Sequence, residues 1–146
     1  MPGSKKGKLE TILVVESDAV ILNTVVTLLK AANFKVLSAP SADLALKVAQ
    51  ETEGEIELAL SAVELPGMSG PDLGNAFKKF RPGIHVMLMS GQADGNLLVL
   101  NYGWAYIQKQ MLAAKLVEMI NSVLHSPNRS QLGDEYDSAK DVRMAR

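Results

Sequence analysis

The chain has 146 residues, 47% of them hydrophobic and 21% charged, with a net charge of -1 and no cysteine. That length suits one domain with a full core. The charge provides no field that would draw nucleic acid or an anionic membrane, and the lack of thiols excludes disulfides, cysteine nucleophiles and thiolate zinc sites. No apolar run approaches the roughly 18 residues of a membrane span. The basic start, MPGSKKGKLE, leads only into ILVV before Glu16 and Asp18, too short for a secretory signal. A cytoplasmic protein is expected, with residues 1–9 a flexible arm and residues 10–125 the folded domain.

TILVV (11–15) is short, apolar and β-branched, as a buried parallel strand should be. Over residues 18–32, Val20, Ile21, Val25, Leu28 and Leu29 recur at helical spacing, with Asp18 as the cap and Asn33 as the stop. FKVLSA (34–39) gives a second strand. Ser41 caps a second helix carrying Leu44, Leu46, Val48 and Ala49, and Gly54 closes it. A third strand is expected over residues 57–61 and a third helix over 70–80, stopped by Arg81-Pro82-Gly83. IHVMLMS (84–90) is the fourth strand and residues 93–101 a looser helix. After Gly103, WAYIQ (104–108) is a short fifth strand. The last helix, over 111–124, carries Leu112, Leu116, Val117, Ile120 and Leu124 on one face.

Five strands alternating with five helices through short connections make an α/β fold, a doubly wound parallel sheet with helices on both faces. Sites in such sheets lie at the carboxyl ends of the strands. Residues 16–18, 62–67, 90–91 and Lys109 are therefore the places to look. The tail, SPNRSQLGDEYDSAKDVRMAR (126–146), is polar and of mixed charge, too short for a DNA-binding helical domain. Its composition reads as an extension without fixed structure. The sharper reading is a short helix from about Asp134, with Leu132, Tyr136 and Ala139 docking on a partner or a second copy.

The stretches ILVVESD, LALSAVELPGMSG, VMLMSGQAD and YIQKQ stand in an order and spacing that resembles the receiver domain of bacterial two-component response regulators, from about Thr11 to Leu124. The resemblance implies a flavodoxin-like (βα)5 sheet with strand order 2-1-3-4-5. It also implies a phosphoryl-transfer site: an Asp ending the third strand is the nucleophile, an acidic pair after the first strand helps hold Mg²⁺, and a hydroxyl and a Lys contact the phosphoryl group. Such chemistry is mostly positioning and charge neutralisation.

Carried over residue by residue, the acceptor position falls on Ala62, whose methyl group can neither attack phosphorus nor bind metal. Ser61 is no replacement, because successive strand side chains point to opposite faces. The acidic pocket falls on Glu16 and Ser17, with Asp18 one residue later, where it suits a helix cap. A backbone carbonyl that serves the metal falls on Glu64. Ser90 and Lys109 match the family's phosphate-site hydroxyl and Lys, and Tyr106 its switch aromatic. Gln110 stands where the family usually has Pro, often after a cis bond; a non-proline cis bond costs roughly 2.5–4 kcal/mol, so a trans bond and an altered loop are expected. No cofactor and no resident metal are expected, with Mg²⁺ binding weak or absent.

Blander roles stand beside these. Lys109 is equally a structural cation, with Glu16 its partner by the fold, since buried charges need pairing. Ser90 is equally a helix cap, Tyr106 and Trp104 packing residues, Glu64 a solvated loop residue and the Met residues of VMLMS core. His85 and His125 have no metal-ligand spacing. The reading that follows is a non-enzymatic signalling module, a receiver without its acceptor Asp. It would act on a histidine kinase or another signalling protein, or on a second copy of itself, with no nucleic acid or membrane as partner. The family's contact face corresponds to residues 94–101, 104–107 and 111–124, with Tyr102, Trp104 and Met111 as anchors. The alternative is a small α/β enzyme or cofactor binder; the sequence ESDAVILNT is not a phosphate loop, a phosphatase nucleophile would need Asp at position 16, and GxxxxGK[ST] is absent. A phosphotransfer module acting through His85 or His125 conflicts with the α/β pattern.

Overall fold

The computed structural model describes residues 9–91 and 103–125. Five short runs form strands: β1 (Thr11–Val15), β2 (Lys35–Ala39), β3 (Leu58–Ala62), β4 (His85–Ser90) and β5 (Ala105–Gln108). All pair in parallel, in the order β2-β1-β3-β4-β5. Every residue of β1 and of β3 is buried, because helices cover both faces, and their sequences are accordingly apolar almost throughout rather than alternating.

The alternation of strand side chains divides the core in two. Ile12, Val14, Leu58, Leu60, Met87, Met89 and Ile107 face α1 (Ala19–Ala31) and α4 (Leu112–His125), which contribute Val25, Leu29, Leu116 and Ile120. Leu13, Val15, Ala59, Val86 and Leu88 face α2 (Ala42–Glu51) and α3 (Gly70–Phe80), which contribute Ala45, Ala49, Leu73 and Phe77. Small residues on α2 let it lie close to the sheet.

The helix ends follow their capping residues. Asp18 accepts from the amides of Val20 and Ile21, Ser41 from that of Leu44 and Ser69 from that of Asp72, each satisfying donors that the first turn leaves open. α1 stops at Asn33, which takes the left-handed conformation with φ of 72°, as its short polar side chain allows.

Several sequence expectations need adjusting. α2 ends at Glu51, with Thr52 as its C-cap, before Gly54. β3 runs one residue later than expected, so Ala62 is its last member and Glu57 precedes it; the Glu57 carboxylate instead accepts the Thr11 amide at 2.7 Å. Val20 is 73% exposed and Leu44 is exposed, so neither belongs to a buried stripe: the buried face of α1 carries Val25 and Leu29 and that of α2 carries Ala42, Ala45 and Ala49. Trp104 lies just before β5, and residues Lys109–Met111 form a 3₁₀ turn before α4 begins. The helix expected over 93–101, the tail over 126–146 and all of the arm except Leu9 lie outside the described residues.

Candidate functional site

The carboxyl edge of the sheet gathers the residues singled out in the sequence. Ala62 ends β3 with no exposed surface, in register with Met89 of β4. Ser90, also buried, ends β4 in register with Gln108, one residue short of Lys109. Val15 is in register with both Ser61 and Ala39, and the Glu16 amide extends that ladder by donating to the Ala39 carbonyl at 3.2 Å. Glu16 therefore follows β1 at the level where Ala62 closes β3. Ser61, on the opposite face, is buried and donates to the carbonyl of Ala62 at 2.9 Å.

The decisive contact joins the two ends of this edge. Lys109 Nζ lies 2.9 Å from Glu16 Oε1, with the Glu16 side chain 3% and the Lys109 side chain 25% exposed. The ammonium reaches Oε1 without the alignment of a hydrogen bond, so the attraction is charge on charge. Oε2, the other oxygen, accepts the amide of Asp18 at 3.0 Å. β3 and β4 separate β1 from β5, a span of roughly 14 Å at ordinary strand spacing. Two long side chains close that span, and the extra methylene of Glu over Asp serves it directly.

The remaining residues of the pocket are already occupied or inert. Oδ1 of Asp18 accepts from Val20 at 2.9 Å and Ile21 at 3.0 Å, which makes it a helix cap. Ser17 and Glu64 are exposed. The divalent cation implied by the resemblance asks for hard oxygens, typically one or two carboxylates. Here the single buried carboxylate has one oxygen on an ammonium and the other on an amide, Asp18 is committed to its helix, and Ala62 offers a methyl group; these residues do not fit the ion. Among the described residues no three His, Asp or Glu side chains are placed to hold a metal.

Glycine shapes the loop after Ala62. The Gly70 amide donates to the carbonyl of Val63 at 2.7 Å, and a Cβ at Gly70 would lie 2.1 Å from the carbonyl oxygen of Ala62. The start of α3 is thus pressed against the end of β3. Sequence reasoning took this glycine only as a helix start; the SerGlyPro run that opens α3 was the available signal. The Asp18 amide on Glu16 was also missed, since backbone donors leave no trace in residue type.

On the β5 side, Tyr106 is half-buried. Trp104 is also half-buried, with its ring over α3: a Cβ at Gly74 would stand 2.8 Å from Cη2 and Cζ3 of the indole. Met111 is 36% exposed at the end of the 3₁₀ turn. The Lys109–Gln110 peptide is trans. Tyr102 lies outside the described residues.

The response regulator receiver domain family matches residues 12–121, three-quarters of the chain and nearly all of the folded part. The chain belongs to that family. This receiver is 32% identical over 84 residues to the sensor kinase CckA of Brucella abortus (strain 2308); the match covers 58% of this chain and 9% of that kinase. Among solved structures it is similar to a CheY-like receiver domain protein from Methanospirillum hungatei JF-1, with a TM-score of 0.72 and 28% identity over 84% of this chain and 99% of that one. A receiver domain protein from Clostridium thermocellum is similar at the same TM-score and identity, over 85% and 98%. The fold and its place in two-component signalling follow from this membership. No described helix of the receiver is long and apolar enough to cross a membrane.

Proposed function

We propose that this receiver is a non-enzymatic signalling module that works through protein contacts without phosphorylation at position 62. The observation that carries the reading is the composition of its carboxyl edge. A methyl group ends β3 where the family resemblance puts the nucleophile, and the nearby carboxylate of Glu16 is buried and engaged by Lys109 and the Asp18 amide. Ser90 and Lys109 remain from a phosphate site that has no acceptor. The expected partner is a histidine kinase or another signalling protein, with self-association as the other form of protein contact. The face that includes Trp104 and Met111 is the proposed surface, and the exposure of Met111 supports a role for it there.

The test puts the missing chemistry back. The double variant Ala62→Asp, Ser17→Asp is incubated with Mg²⁺ and a small acyl phosphate, and the site of any adduct is mapped by peptide mass. Phosphorylation at position 62 is expected, because Ser90 and Lys109 stand where the family resemblance puts the hydroxyl and Lys that contact the phosphoryl group. A folded variant that stays unlabelled would contradict the placement of Ala62 at the acceptor position.

A further inference from the structure

A carboxylate as buried as that of Glu16 needs a counter-charge, because an unpaired charge is held out of water at high cost. The charge comes from Lys109, at the far side of two intervening strands. We infer that Lys109 is the resident counter-ion of this pocket, taking the place of a divalent cation, and that the Glu16–Lys109 pair is a fixed latch between β1 and the corner joining β5 to α4. The inference rests on the reading above, in which this edge is the receiver's altered phosphorylation site, and adds how the corner is held.

Three observations converge. Both oxygens of Glu16 are taken, one by the ammonium and the other by the amide of Asp18. Oδ1 of Asp18 accepts from Val20 and Ile21 in the first turn of α1, which ties that carboxylate to its own helix. Lys109 opens the 3₁₀ turn that carries Met111 and runs directly into α4. The position of that turn, and of the exposed Met111 on it, is therefore set by a bond internal to the chain. A divalent cation would have to displace the ammonium from Oε1 of Glu16 and would then meet a carboxylate whose other oxygen is already held by the Asp18 amide.

The experiment is a double-mutant cycle on the full chain: wild type, Glu16→Gln, Lys109→Met and the double variant. Each is followed by thermal unfolding and by emission of the single tryptophan, Trp104, with and without Mn²⁺. Removing one partner of a buried pair should lower the melting temperature by about 10 °C, while removing both should restore more than half of that loss. Mn²⁺ should leave the melting temperature and emission of the wild type unchanged. Additive losses in the double variant, or a saturable Mn²⁺ response of the wild type, would overturn the latch. Should a single variant not fold, Lys109→Arg with near-native melting and the double variant with native-like melting support the latch, and failure of both overturns it. Coupling between the two residues is read without any phosphoryl donor, so a wild-type phosphoryl adduct would sink the reading of the preceding subsection and leave this measurement standing.

Discussion

Gly70 and Asp18 determine the shape of the site at the level of single residues. The Ala62 carbonyl oxygen occupies the space a Cβ at Gly70 would need, and the obstacle is backbone rather than a flexible side chain. Gly70→Ala should therefore destabilise by at least the ~1–3 kcal/mol typical of an overpacked core, with the loss visible in chemical denaturation. Asp18→Ala should cost about 1 kcal/mol, the usual loss of an N-cap, while leaving its own amide on Glu16. That residue-level split can be checked by comparing denaturation midpoints with hydrogen exchange at the Asp18 amide. The capping role of Asp18 was legible in the sequence, since Asp before an apolar helical run has a direct physical meaning. The close approach at Gly70 was not, because it depends on where α3 lands against β3.

Arg81 sets the fit of two elements. Its guanidinium donates through Nε at 3.0 Å and Nη2 at 2.9 Å to the Ala49 carbonyl, through Nη2 to Thr52 at 2.7 Å, and through Nη1 to Gly54 at 2.9 Å. These carbonyls lie at and beyond the C-terminal end of α2, where no intrahelical donors remain, so the side chain ending α3 closes α2. Arg81→Ala should cost about 1–3 kcal/mol, given charge-assisted bonds that are partly exposed to water. Arg81→Lys should recover little of it, because an ammonium lacks the planar fork. Thermal unfolding of the two variants decides the point. In the sequence Arg81 was only part of a stop signal with Pro82 and Gly83; a side chain reaching another helix leaves no local pattern. The same limit explains Val20 and Leu44. Helical spacing counted them among the apolar positions, but the faces that meet the sheet carry Val25 and Leu29 on α1 and Ala42, Ala45 and Ala49 on α2.

Across the whole molecule, the two layers of core are joined through one sheet and should unfold together. Phe77→Ala in the α2–α3 layer and Leu116→Ala in the α1–α4 layer, both fully buried, should each cost roughly 2–5 kcal/mol. Their losses should add within a single cooperative transition, and a biphasic melt in either variant would contradict that unity. Strand order and element sequence were legible because short apolar runs alternate with capped helices and because the LPGMSG turn and Lys109 placed the chain in a known frame. Glu16 and Lys109 were legible as partners on the same grounds, since the frame brings the ends of β1 and β5 to one edge. The engagement of both Glu16 oxygens was not, since one of them rests on a main-chain amide.

The central claim is that this receiver signals without taking a phosphoryl group. Its most direct test is the intact mass of the wild-type chain after incubation with Mg²⁺ and a small acyl phosphate. An unchanged mass is expected, because a methyl group stands at the end of β3 and the neighbouring carboxylate is already paired. A stable phosphoryl adduct would contradict it, and the residue carrying that adduct would be the acceptor this reading denies.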